Sequence, residues 1–185
     1  MAARTILTSL IVVVSIADAS SSGAQARVQR DSSWRLQRFV HDAGYGIAEG
    51  LAYSGLDQAR NTPAEWGSGW PGYGRRAASN VGEFLIQESV TEGLAAVMHR
   101  PLDYRRCRCS STGARVAAAL RGAVTDQRPN GSHPLAIPRI AGAYAGSFAQ
   151  ASWRPNANRT QTALLNGTSS LALGVLINLY HEFRR

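Results

Sequence analysis

Small residues recur in this chain at the spacing of helix turns. Ala43, Gly46 or Ile47, Gly50 and Ser54 fall along one face of a single segment, and Gly142 and Gly146 stand four apart in another. Residues three and four apart share a face of an α-helix. A face without bulk lets two helix backbones approach closely. The pattern points to helices packed on helices and argues against a sheet, whose side chains alternate with period two. With 18 Gly in 185 residues and aromatics at 8%, the hydrophobic share of 44% rests on small and aliphatic side chains. The expected fold is all-α, a compact bundle of four to six helices with close Gly and Ala packing.

Periodicity and stop signals divide the chain into segments. A helix is expected from Trp34 to about Arg60, unbroken or split near Gly55, with Asn61-Thr62-Pro63 as its stop. Thr62-Pro63-Ala64-Glu65 has the form of a capping box with Pro at the first helical position. A Gly-rich loop follows with Trp66, Trp70 and Tyr73, aromatics suited to a sugar face or a half-wet lipid boundary, or to covering the bundle end. Further helices are expected from Arg75 to His99, Gly113 to Thr125, Ile140 to Trp153 and Arg159 to Phe183. A loop marked by Arg128-Pro129-Asn130-Gly131 separates the Gly113–Thr125 and Ile140–Trp153 segments. The expected core comprises Leu36, Phe39, Ile86, Val90, Leu94, Leu120, Tyr144, Phe148, Leu171, Val175 and Leu179. Residues 160–180 carry no charge, but Asn166, Ser169, Ser170 and Asn178 favour a buried core helix there over a membrane span.

The start of the chain has the form of an export signal. Arg4 precedes an apolar run from Ile6 to Ile16, too short for a bilayer core that needs about 20 residues. Ala24-Gln25-Ala26 offers a small-x-small cleavage site, with Ala19 as the earlier option. The expected organisation is a cleaved signal over 1–26, a flexible segment over 27–33 and one helical domain over 34–185. That places the mature chain outside the cytoplasm, in the periplasm or at the envelope. Cys107-Arg108-Cys109 is at most half a zinc site, and after export either two loop thiols or a local disulfide.

Twenty basic residues face 12 acidic ones, a formal charge of +8, and every basic residue is Arg. Schiff-base and P-loop lysine chemistry are excluded, and no G-x-S-x-G or dinucleotide fingerprint occurs on a suitable element. Arg100, Arg105, Arg106 and Arg108 form the strongest basic cluster. Outside the cytoplasm its natural anions are lipid phosphates or acidic wall polymers rather than nucleic acid. Glu88, Glu92 and His99 fall within about 40° on one helix and are the candidates for metal-assisted acid–base chemistry. A solvated face explains the same spacing, so no resident metal or cofactor is expected. The favoured function is a non-catalytic exported envelope protein, structural or binding, peripheral at an anionic membrane or wall component. The alternative is a small metal-assisted hydrolase.

Pro63-Ala64-Glu65-Trp66-Gly67 with Gly72-Tyr73-Gly74-Arg75-Arg76, Asp103-Tyr104-Arg105, Gly142-Ala143-Tyr144, Trp153-Arg154-Pro155 and Gly167-Thr168-Ser169-Ser170 ahead of Glu182-Phe183 carry a resemblance over most of the mature chain. Together they resemble a group of short exported bacterial proteins with no known activity. The resemblance implies export and a compact Gly-rich helical domain, and it assigns no site.

Overall fold

The computed structural model describes residues 22–128 and 131–184. Five α-helices account for most of them: α1 Ser22–Ala59, α2 Gly69–Val97, α3 Thr112–Val124, α4 Ile137–Trp153 and α5 Arg159–Phe183, with a single 3₁₀ turn at Ala64–Trp66. The fold is all-α, as the small-residue spacing predicts. The chain divides into two compact units, Met1–Trp34 and Arg35–Arg185. In the first, the backbone is helical from Ser22 onward, through the 27–33 segment. No proline interrupts it, and Ala, Gln and Arg are good helix formers. The apolar run Ile6–Ile16 lies outside the described residues.

In the second unit α2 packs on α4, α4 on α5, and α5 on α3. Glycine makes these contacts close. A Cβ at Gly146 would stand 2.8 Å from the Glu83 carbonyl oxygen, and one at Gly50 3.1 Å from Val81. Local signals fix the ends: Ser111 Oγ accepts from the Ala114 N–H at 3.2 Å at the start of α3, and Asn158 Oδ1 accepts from the Gln161 N–H at 3.1 Å at the start of α5. A Thr125–Leu135 bridge closes the α3–α4 connection.

Two local expectations need correction. The capping box does not form, because Pro63 itself is the residue before the 3₁₀ turn and leaves Thr62 one position outside it. The Thr62 hydroxyl donates instead to the Arg60 carbonyl. The aromatic loop is largely helix, since α2 begins at Gly69 and Pro71 sits in the first turn, where its missing N–H is not needed.

The larger correction concerns the core. The buried apolar residues are alanines: Ala95, Ala119, Ala123, Ala136, Ala143, Ala151 and Ala163. Leu36, Leu120 and Phe148, expected inside, are 63%, 52% and 46% exposed. Phe39, Ile86, Val90, Leu94, Tyr144, Leu171, Val175 and Leu179 are half-buried. The reason is spacing. Helices meeting through Gly and Ala leave no room between them for bulky side chains, which are displaced to the flanks and the outside.

Candidate functional site

Polar side chains fill the space between the helices. Ser54, Ser79, Thr91, Ser147, Gln150 and Asn178 are buried. Ser54 and Gln150 belong to a seam that links four helices. Asn80 Nδ2 donates to Ser54 Oγ at 3.1 Å, and its Oδ1 accepts from Gln150 Nε2 at 3.0 Å. Gln150 Oε1 in turn accepts from Asn166 Nδ2 at 3.2 Å, so the seam runs from α1 through α2 and α4 to α5. Ser147 donates to Glu83 at 2.9 Å and Ser170 to Gln87 at 2.8 Å. Most buried polar groups in folded proteins are partnered in this way.

One end of the bundle is organised by Arg76, whose side chain is fully buried. Its guanidinium donates to the carbonyls of Thr62, Pro63 and Gly67, each at 2.8 Å, to Gln58 Oε1 at 2.7 Å and to Asn61 Oδ1 at 3.3 Å. Five donors in a fixed fork suit arginine alone. Beside it Arg154 donates to Asp57 at 2.7 Å and lies over the Trp66 ring. Of the three aromatics singled out in the sequence, Trp66 and Tyr73 fold back onto the bundle, Tyr73 donating to the Leu51 carbonyl at 3.3 Å. Trp70 is 85% exposed.

The other end is organised by Glu182. Its carboxylate is buried and accepts from Tyr104 Oη at 2.8 Å, from the Cys107 N–H, and from Arg115 Nε at 3.3 Å. Burial and the bond to Glu182 both push the Tyr104 hydroxyl pKa well above its usual value. Cys107 and Cys109 form a disulfide. Arg139 donates to the carbonyls of Gly122 at 2.7 Å and Leu102 at 3.1 Å, tying this loop to the end of α3. Between the loop, α3 and the start of α4 lies a cleft of about 140 Å³ that Cys107, Arg105, Arg121 and His133 help to line. Asp126 lies at its inner side, fully buried. Arg100 Nη1 is 3.6 Å from its carboxylate, and among the described residues neither oxygen accepts a hydrogen bond. Desolvation raises the Asp126 pKa, against the pull of Arg139, Arg100 and Arg128.

The sequence candidates are redistributed by this geometry. Glu88 and Glu92 gather with Asp42 from α1, the three ligand atoms lying within 4.8 Å of one another, whereas exposed His99 is not part of the group. Arg38 supplies the cation there, 3.3 Å from Glu92, 3.4 Å from Asp42 and 2.8 Å from Asp103. A carboxylate group already served by a guanidinium is arranged for ion pairing. Arg100 is nearly buried against Asp126 and so is not a surface cation. Arg106 donates to the Arg184 carbonyl at 2.5 Å, and Arg105, Arg106 and Arg108 are exposed. Sequence reasoning missed Arg76, Asp126, Arg139 and Glu182. Local spacing carries no signal for them, because their partners come from other elements of the fold. The chain matches no protein family, no curated protein and no solved structure.

Proposed function

We propose that this chain is an integral membrane protein of the cell envelope with a structural or binding role. In this reading α1, α2, α4 and α5 turn a polar seam inward and an apolar surface toward lipid. The observation that carries the reading is the inverted distribution of side chains. Water-soluble domains bury Leu, Ile, Val and Phe, whereas here alanines and hydrogen-bonded polar groups are buried while Leu164, Leu165, Leu176, Ile177, Tyr180 and Phe183 of α5 are exposed. On α1, Leu36, Val40, Ile47, Leu51 and Leu56 are likewise exposed. Where lipid surrounds the helices, burial of apolar side chains between them gives no advantage, and small residues with interhelical hydrogen bonds become the means of association.

Three further features support the reading. α5 has a mean hydropathy of 1.4 over its most apolar 18-residue window, of which only 17% is buried, so it does not behave as the core helix expected from its sequence. Its 25 residues extend about 37 Å, more than the hydrocarbon thickness of about 30 Å. Its uncharged stretch ends in Tyr180, Phe183 and Arg184, and the exposed Trp153 and Trp70 stand at the opposite end of the bundle, residues suited to the two interfaces. Integration takes the place of the peripheral attachment expected from sequence, and the exposed Arg105, Arg106 and Arg108 then meet lipid phosphates at one surface. Export stays part of the proposal, and the local disulfide agrees with it. The metal-assisted hydrolase has less support, since His99 lies outside the carboxylate group.

Fractionation tests the proposal. Membranes from cells making the full chain are washed with high salt and then with alkaline carbonate. Retention in the pellet until detergent is added supports integration. Release by salt returns the protein to the periphery, and release as a soluble oligomer assigns the apolar faces to a second copy; either result overturns the reading.

A further inference from the structure

We propose that the Cys107–Cys109 disulfide is a thiol–disulfide exchange site, and that its substrate is a small thiol bearing carboxylates. The first argument is that the disulfide adds little to the fold. It joins residues separated by two positions, and a ring that short contributes about half the chain-entropy stabilisation of a 15-residue loop. The surrounding segment is already anchored without it, through Tyr104 and the Cys107 N–H to Glu182, Arg139 to the Leu102 carbonyl, and Asp103 to Arg38.

The second argument is placement. Both cysteines are half-exposed, but it is Cys107 that borders the cleft, whose volume is about 140 Å³. That gives the thiol end of a small molecule a path to Cys107. The third argument is charge. Arg105, Arg121, Arg139 and His133 line the cleft. Of the two acids that also border it, Asp103 pairs with Arg38 at 2.8 Å, and Asp126 is buried where its charged form is disfavoured. The remaining arginine charge favours a carboxylate-bearing thiol and stabilises thiolates formed beside it.

The exchange balances without a further oxidant. A substrate thiolate attacks Sγ of Cys107, the Cys107–Cys109 bond breaks, and Cys109 leaves as a thiolate beside Arg108. A second substrate thiolate attacks the substrate sulfur of the mixed disulfide and releases Cys107. Two thiols are oxidised to one disulfide, the protein disulfide takes up the two electrons, and two protons pass from the substrate thiols to the two cysteines.

Glutathione is the probe. The full chain in detergent is mixed with reduced glutathione or with uncharged 2-mercaptoethanol, and loss of the disulfide is followed by thiol alkylation and mass. Reduction by glutathione is expected about tenfold faster than for the free peptide Arg105–Ser110, with that advantage shrinking in high salt and absent for 2-mercaptoethanol. In Cys109→Ser, Cys107 is expected to carry a glutathione adduct when oxidised glutathione is added, and the helical spectrum of the reduced wild-type chain is expected to be unchanged. A rate equal to the peptide's, equal preference for the two thiols, or a reduced wild-type chain that loses its helical spectrum would each overturn the proposal, the last by making the disulfide a structural staple.

Discussion

Gly142 of α4 lies so close to Gln87 of α2 that a Cβ at this position would stand 2.6 Å from the Gln87 carbonyl oxygen, with Thr91 closer still. Backbone oxygen cannot move aside as a flexible side chain can, so the contact admits hydrogen alone. Gly142→Ala is expected to destabilise the bundle by about 1–3 kcal/mol, the usual range for overpacking. Gly93, also on α2, has nothing within 4 Å of a built Cβ, and Gly93→Ala is expected to stabilise by about 0.5–1 kcal/mol through helix propensity. Thermal denaturation of both variants, read by circular dichroism, checks the pair. Equal effects would remove close packing as the explanation.

The Arg76 centre makes its own prediction. Arg76→Met leaves Gln58 Oε1 and three backbone carbonyls without their donor. A loss of about 3 kcal/mol or more is expected, since each buried acceptor left unsatisfied costs about 1–3 kcal/mol. Arg76→Lys is expected to recover only part of it, because an ammonium has three donors and no planar fork. Denaturant melts of the two variants give the comparison, and full recovery by Lys would show that charge alone matters.

Leu176 is 61% exposed on α5. If that surface faces lipid, Leu176→Arg carries a cost of about 2.5–3.5 kcal/mol and depletes the protein from the membrane fraction. On a water-facing surface the same change lies within about 0.5 kcal/mol. Quantifying pelleted protein in carbonate-washed membranes distinguishes the two, with Gln161→Arg, at the exposed start of the same helix, as the control.

Asp126 gives a pH dependence. Its pKa is raised in the folded chain because burial disfavours the carboxylate. The folded state therefore holds the proton more tightly than the unfolded state does, and the resulting stability is present at acid pH and lost as pH rises through the folded pKa. Compared with Asp126→Asn, the wild-type melting temperature is expected to fall relative to the variant between acid and neutral pH. A difference independent of pH would mean that Arg100 fully compensates the carboxylate.

Much of the architecture was legible in the sequence because helix formation is local. Gly46, Gly50, Gly142 and Gly146 marked the contact faces by spacing, and the α3, α4 and α5 segments ended near their predicted stops. The start of α2 was misplaced since a Pro-Gly run has the look of a loop until its position in a first turn is known. The tertiary structure alone decided which face of each helix turned inward. α5 carries both an apolar stripe through Leu165, Leu176 and Tyr180 and a small, polar stripe through Ala163, Gly167 and Asn178, and periodicity identifies two faces without ranking them. Close approach of α3 and α4 to α5 admitted only the smaller stripe. The Glu182 centre likewise depended on bringing residues 75 and 78 positions apart into hydrogen-bond contact, a separation across which sequence spacing specifies no geometry, because the chain between them is free to turn until the helices pack.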